Sequence, residues 1–138
     1  MTAQDVVEGS RLPAVINDAR KAAAAAFAVV ELAGFVFYLI AATKVWFFRD
    51  DWEFLAGRGV NMHDLLRQHG GHFVALPLLV FRGMYFVVGL RSYMPYQVLP
   101  IALHLTAAAL LRVIMRRAGV GPWIATVAAS LFVFFGSG

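Results

Sequence analysis

Cysteine is absent from the 138 residues, which excludes a disulfide framework, a thiolate metal site and a cysteine nucleophile. Charge is scarce as well. Asp, Glu, Lys and Arg make up 14% of the chain, against roughly 25% in an average soluble domain. No stretch interleaves basic and aromatic residues as an RNA-binding surface does, so nucleic acid is not an expected partner. The glycine-rich pieces GVGP and GSG lack the strand, lysine and helix of a phosphate loop. There is no internal repeat, and no short apolar core with a cleavage site that would mark a secretory signal.

What the chain has in abundance is apolar surface. Hydrophobic residues are 61% of it and the mean hydropathy is +0.72. Apolar runs this long and this lightly charged cannot all be buried inside so small a globule, so the composition predicts an integral membrane protein. The net charge of +4 comes from basic residues beside apolar segments, which points to membrane orientation.

Residues 1–21 are polar and mixed in charge, and with Pro13 breaking any early helix they are expected to form a flexible cytoplasmic tail. Residues 22–48, AAAAAFAVVELAGFVFYLIAATKVWFF, exceed the roughly 20 residues needed to cross the hydrocarbon core and form the first expected span. Arg20 and Lys21 at its start place the amino terminus in the cytoplasm, while Tyr38, Trp46, Phe47 and Phe48 form an interfacial belt at its end. Residues 49–95 are the expected external loop, and its first part, RDDWEFLAGRGVNMHDLLRQHGGH, holds three of the four histidines. There Asp50 or Asp51 can cap a turn containing Trp52, Phe54 and Leu55. Asn61 can cap a helix through Leu65 and Arg67 that Gly70 and Gly71 stop.

The segment Phe73 to Leu90 looks like a second span but carries Pro77, Gly83 and a central Arg82, whose insertion at mid-bilayer costs about 2.5–3.5 kcal/mol. Were it to cross, Arg112, Arg116 and Arg117 would face outward against the positive-inside rule. It is therefore expected to lie along the outer interface, with Ala75, Leu78, Arg82, Tyr85 and Gly89 as a stripe turned to headgroups or protein. Residues 96–114 then form the second span, 115–122 a basic cytoplasmic turn and 123–138 the start of a third. The apolar part of that third span covers only about 20 Å. The expected fold is an all-α multi-pass protein of the plasma membrane, with about three spans, the last incomplete, and interfacial helices in its first external loop. An amino-terminal fragment of a longer chain is the economical reading.

Several polar residues carry two readings each. Asp50 and Asp51 are either helix caps or carboxylates desolvated enough at the membrane surface to act as bases. His63, His69 and His72, with Asp64 and the aspartate pair, are either solvated or ligands for a divalent ion, the one candidate cofactor. Arg82 either snorkels to phospholipid or holds the phosphate of a lipid-linked substrate. His104 is a functional candidate or is bonded to a neighbouring helix, and Glu31 reaches the interface or pairs with Lys21.

With RDDWEFL after the first span, GGHFVALPLLV about twenty residues on and GLRSYMPYQVLPIALHL leading into the next, residues 29–138 resemble actinobacterial membrane proteins of the GT-C glycosyltransferase type. The resemblance implies transfer of a sugar from a polyprenyl-phosphate donor to an acceptor on the outer face, by an acidic motif in the first external loop. It implies Asp50 as the general base or acceptor-orienting carboxylate and Asp51 as the second catalytic acid. Arg82 and His72 are then the expected substrate-binding residues, with no fixed metal ligands. The expected partners are the bilayer, the donor lipid and the remaining helices of a longer chain or partner subunit. The different class that stays open is a small non-catalytic membrane subunit binding partner helices through AAAAA, Ala33–Gly34 and Ala107 to Ala109.

Overall fold

A computed structural model describes residues 3–135, with side chains from Val15 onward. Every regular element in it is a helix: α1 (Ala3–Ala42), α2 (Asp50–Trp52) running into a π-helical turn (Glu53–Gly57), α3 (Met62–Leu66), α4 (Ala75–Val88), α5 (Met94–Arg117) and α6 (Pro122–Phe135). Two helical stretches, Val15–Ala42 and Met94–Arg117, are long and apolar enough to cross a membrane. Helices α4 and α6 have 14 residues each, a rise of about 21 Å against a hydrocarbon core of about 30 Å.

Two expectations need correction. Pro13 does not break the chain into a tail, because α1 runs unbroken from Ala3. A proline inside a helix costs about 3 kcal/mol through one lost hydrogen bond and a clash, and the favourable propagation of a 40-residue helix rich in alanine offsets it. At the other end the first apolar helix stops at Ala42, not Phe48. Thr43 and Lys44 form a turn, in which the Thr43 hydroxyl donates to the Ile40 carbonyl at 2.7 Å. Residues 45–48 are non-helical, and Phe47 is buried in an aromatic cluster of the loop region. The expected end of the third span, residues 136–138, lies outside the described residues.

The chain divides into two compact units, 1–37 with 101–138 and 38–100. In the first, α1, α5 and α6 meet through small residues: Ala23, Ala108, Ala125 and Ala129 have no exposed surface. The contacts fix the directions. Ala23 lies at Thr126 and Gly34 at Val133, so α1 and α6 run parallel. Phe27 lies at Arg112 and Gly34 at Leu105, so α5 runs antiparallel to both. Thr126 is the polar joint, its hydroxyl donating to the Ala23 carbonyl at 3.0 Å and accepting from Arg112 Nε at 3.0 Å. Arg112 also lies 5.2 Å from the Phe27 ring centroid, so its charge is used within the unit.

The second unit is built on Phe47, Leu55, Tyr93 and Tyr96, with Phe81, Met84 and Val88 of α4 packed against them. Phe47 lies 4.6 Å from the Tyr93 ring and 5.0 Å from the Tyr96 ring. Helix α4 therefore has two faces. Leu78, Phe81 and Val88 turn inward, while Leu76, Leu79, Phe86, Val87 and Leu90 are exposed.

Gly34 is the tightest point of the three-helix unit: a Cβ there would sit 2.5 Å from Val133 Cγ1. Gly34→Ala should destabilise the protein in detergent melting by about 1–3 kcal/mol, since overpacking of this kind forces a backbone shift. Val133→Ala added to Gly34→Ala should recover part of that loss. Equal melting temperatures for wild type and Gly34→Ala would show that α1 and α6 do not meet as described.

Candidate functional site

The polar segment after the first apolar helix folds around one buried cation. Arg58, 4% exposed, donates through Nε to Glu53 Oε1 at 2.8 Å, through Nη1 to the Arg67 carbonyl at 2.6 Å and through Nη2 to the Gln68 carbonyl at 3.3 Å. Nη2 also lies 3.2 Å from His69 Nδ1. The Arg58 backbone carbonyl in turn accepts from Arg82 Nη2. These bonds tie the π-helical turn, the chain after α3 and α4 into one module. Asn61 caps α3 as expected, its Oδ1 accepting the Asp64 N–H at 2.9 Å, and Asp64 Oδ2 accepts the Gly59 N–H at 2.7 Å. The helix ends at Leu66, before the two glycines that were expected to stop it.

Gly70 and Gly71 instead form the two-residue turn of a minimal hairpin. Their φ angles are +57° and +84°, and His69 and His72 exchange backbone N–H···O bonds of 2.9 and 3.0 Å across it. The hairpin aims His69 back at the start of the segment. Its Nε2 is 3.3 Å from Asp50 Oδ2 and its Nδ1 is 3.2 Å from Glu53 Oε2, while its ring packs edge-on to Phe54 at 5.7 Å.

A neutral imidazole has one donor and one acceptor. With the proton on Nε2 it donates to Asp50 and accepts from Arg58 at Nδ1. A second proton turns Nδ1 into a donor toward Glu53 and repels Arg58. The ring thus stands between two carboxylates, Asp50 on one nitrogen and Glu53 on the other.

The two aspartates of the acidic pair separate in role. Asp51 Oδ2 accepts the Phe48 N–H at 2.9 Å and the Tyr93 hydroxyl at 2.8 Å. Neither aspartate caps the turn that follows, whose N-cap position is Arg49 without a side-chain bond, because Asp51 is drawn back to Phe48 and Tyr93. Burial, followed by the Asp51 carboxylate, pushes the Tyr93 phenol above its ordinary range, so it stays a donor. The side chain of Asp50 is 64% exposed and has His69 as its ion-pair partner. It follows Arg49, a non-glycine residue at φ +37°, a conformation that costs on the order of 1–3 kcal/mol.

Of the four expected site residues, the structure brings only Asp50 into this side-chain cluster. Asp51 is engaged in holding Phe48 and Tyr93. His72 is exposed on the far side of the hairpin turn. Arg82 turns inward to protein, not to headgroups, and its buried Nε has no acceptor among the described residues. The residues that complete the cluster, Glu53, Arg58 and His69, include one that drew no attention in the sequence. Arg58 stands between two glycines where a Cβ would come within 3.1 Å of Glu53 at Gly57 and 2.9 Å of Asp64 at Gly59. An arginine flanked by glycines in a tight loop was the available signal. No group of three or more metal-binding side chains occurs among the described residues, so the three histidines are not gathered for an ion. Comparisons with family models, with curated proteins and with solved structures find no match to the chain.

The Arg58 guanidinium holds the Glu53 carboxyl below the usual carboxylate range, and the Gly59 N–H does the same for Asp64. Groups depressed on folding stabilise the fold above the unfolded carboxylate value of about 4.3 and lose that contribution as pH falls through the lower folded value. The second unit should therefore hold constant stability above about pH 5 and loosen below pH 4, followed by Trp52 fluorescence. Glu53→Gln should flatten part of that acid limb. An unchanged acid profile in Glu53→Gln would remove Glu53 as its source.

Proposed function

We propose that this chain forms the first external loop and adjoining helices of a membrane glycosyltransferase of the GT-C type, using a polyprenyl-phosphate sugar donor. The observation that carries the reading is the division of labour in the acidic pair: Asp51 is locked by Phe48 and Tyr93, while Asp50 is open to solvent beside His69. In the proposed reaction Asp50 takes the proton of the acceptor hydroxyl as its oxygen bonds to the anomeric carbon. The bond from that carbon to the phosphate oxygen breaks, and the polyprenyl phosphate leaves with the electron pair. His69 orients Asp50 and offers a path for its proton.

Arg58 and Arg67 stand here against the carboxylates of Glu53 and Asp64, while Asp50 meets His69. The partly exposed Arg67 is the guanidinium that would meet a departing phosphate. Arg82 acts beneath the site by holding the Arg58 carbonyl, and the exposed Arg67 and His72 are the groups that reach a ligand.

In the proposed topology the amino terminus is cytoplasmic, α1, α5 and α6 belong to three spans of a multi-pass plasma-membrane protein, and α4 lies along the outer interface. The antiparallel run of α5 against α1 supports this, because a chain that leaves and returns at one end of a helical unit has no need of a further crossing. The exposed stripe Leu76, Leu79, Phe86, Val87 and Leu90 supports it too, as a face for lipid. With single cysteines at Ser92 and at Ala118, an impermeant thiol reagent on intact cells should label the first and spare the second. The reverse pattern would sink the topology.

A non-catalytic subunit would dock partner helices through the small residues. Ala23, Gly34 and Ala108 are packed within the chain, while Ala24, Ala33 and Ala107 on the same stretches are exposed and remain available for that role. The catalytic reading is tested by Asp50→Asn in the intact membrane protein, assayed as sugar transfer per folded molecule. Turnover should fall at least about 100-fold, the scale of a lost general base. Asp51→Asn should lower the melting temperature and leave turnover per folded molecule within about tenfold. Wild-type turnover in Asp50→Asn would make the aspartate pair structural.

A further inference from the structure

The packing of the three-helix unit sets the level of every residue in it. Phe27 lies at Arg112 and Gly34 at Leu105, equal steps in opposite directions along α1 and α5. The same register, continued past Phe27, brings Arg116 to the level of Ala23 and Arg20 to that of Gly119, in the turn between α5 and α6. Helix α6 runs parallel to α1 with Thr126 at Ala23, so Trp123 stands at the level of Arg20. One end of the unit therefore gathers basic residues from both α1 and α5.

The faces of these residues are fixed as well. Arg20, Ala23 and Phe27 follow the i, i+3, i+7 spacing of one helix face, and Ala23 and Phe27 are buried against the other two helices. Arg20 continues that face beyond the packed region. On α5, Arg116 follows Arg112 by one turn on the side that meets α1 and α6, and Arg117 is next to it. Arg116 donates through Nη1 to the Val120 carbonyl, which ties it to the turn and leaves most of its five N–H groups for other acceptors. Arg20 and Arg117 are exposed, and their guanidinium groups have no partner among the described residues. Helices α5 and α6 contain no acidic residue. At this end of α1 the described acid is Asp18, which is exposed, turned to the opposite side of the helix from Arg20 and one turn from Lys21.

We propose that Arg20, Arg116 and Arg117 form a headgroup site for one anionic phospholipid at this end of the unit. The inference rests on the membrane reading of the long helices and not on sugar transfer. Depth agrees with it: Arg20 stands about 33 Å along the axis from Ala42, where α1 ends, against a hydrocarbon core of about 30 Å, and Arg117 is the last residue of the other long apolar helix. The arginines thus fall where phosphates lie, and a planar guanidinium pairs with two phosphate oxygens at once. Exposed Trp123 at the same level has the amphipathic ring typical of that depth. The occupant is a lipid and not free phosphate because apolar surface adjoins the charges. Val113 and Ile114 of α5 and Ile124 of α6 are exposed within about one turn of them, and acyl chains cover such a surface while an inorganic anion does not.

The test is native mass spectrometry of the purified full chain, released from detergent with equal amounts of phosphatidylglycerol and phosphatidylcholine of the same acyl chains. Wild type should retain phosphatidylglycerol over phosphatidylcholine by about tenfold or more. Arg20→Gln and Arg117→Gln should each cut that preference about fivefold, the scale of one basic residue at an anionic surface. Arg20→Lys keeps the charge and should keep most of the preference. Lys21→Gln removes the same charge from the far side of α1 and should leave the preference unchanged. Circular dichroism of each variant separates lost lipid from a lost fold. Equal retention of the two lipids by wild type, or the same loss in Lys21→Gln as in Arg20→Gln, would overturn the proposal. So would full displacement of the lipid by excess inorganic phosphate at fixed ionic strength, since the site would then be one for a free anion.

Discussion

The loop region depends on the burial of one guanidinium. Taking a charge such as that of Arg58 out of water costs several kcal/mol, and only near-complete saturation of its donors makes that tolerable. Glu53 and the carbonyls of Arg67 and Gln68 take those donors, with His69 at the edge. Glu53 belongs to the π-helical turn and the other acceptors to the consecutive residues 67–69 after α3, so satisfying Arg58 holds these two stretches in one arrangement. The site geometry is a by-product of that requirement: once the carbonyls of 67 and 68 are fixed, the hairpin can only deliver His69 next to Asp50 and Glu53. A π-helical turn is an uncommon conformation, and here it carries Glu53 at its start and the buried Leu55.

The three-helix unit solves the same problem with fewer groups. On the proposed membrane topology the helices gain little from burying hydrocarbon, so close approach of backbones and a few hydrogen bonds decide their association. Ala23, Gly34, Ala108, Ala125 and Ala129 provide the approach. Thr126 and His104 provide the bonds, each to a backbone carbonyl of another helix. Arg112, which on an isolated helix is a liability of about 2.5–3.5 kcal/mol, becomes a partner once Thr126 and the Phe27 ring are present.

The long helices were legible because hydropathy and length are local properties, summed over one stretch of chain. The separate helix α4 was legible as an element, but the direction of Arg82 was not, since its partner is the Arg58 carbonyl 24 residues away. Nor was the stop at Ala42 legible. Residues 43–48 are as apolar as a span, and what pulls them out of the helix is the distant ring pair of Tyr93 and Tyr96 receiving Phe47. The acidic pair was visible by position, yet its division was hidden, since the Tyr93 hydroxyl that selects Asp51 lies 42 residues away. His69 was visible as a histidine among three, but only the Gly70–Gly71 turn and Arg58 single it out, and both act through space.

The energetics of the pair bear on what each carboxylate is for. Asp51 accepts two hydrogen bonds, and bonds to a charged acceptor contribute about 1.5–3 kcal/mol apiece, a large part of the stability of a small unit. Stability alone accounts for an acid at that position. Asp50 meets His69 at 3.3 Å with most of its side chain in solvent, and an exposed pair of that kind contributes about 1 kcal/mol or less. The strained backbone at Arg49 belongs to the turn that brings Asp51 back to Phe48. The exposed Asp50–His69 pair therefore contributes little to stability, and it is this open carboxylate, not Asp51, that the proposed transfer takes as its base.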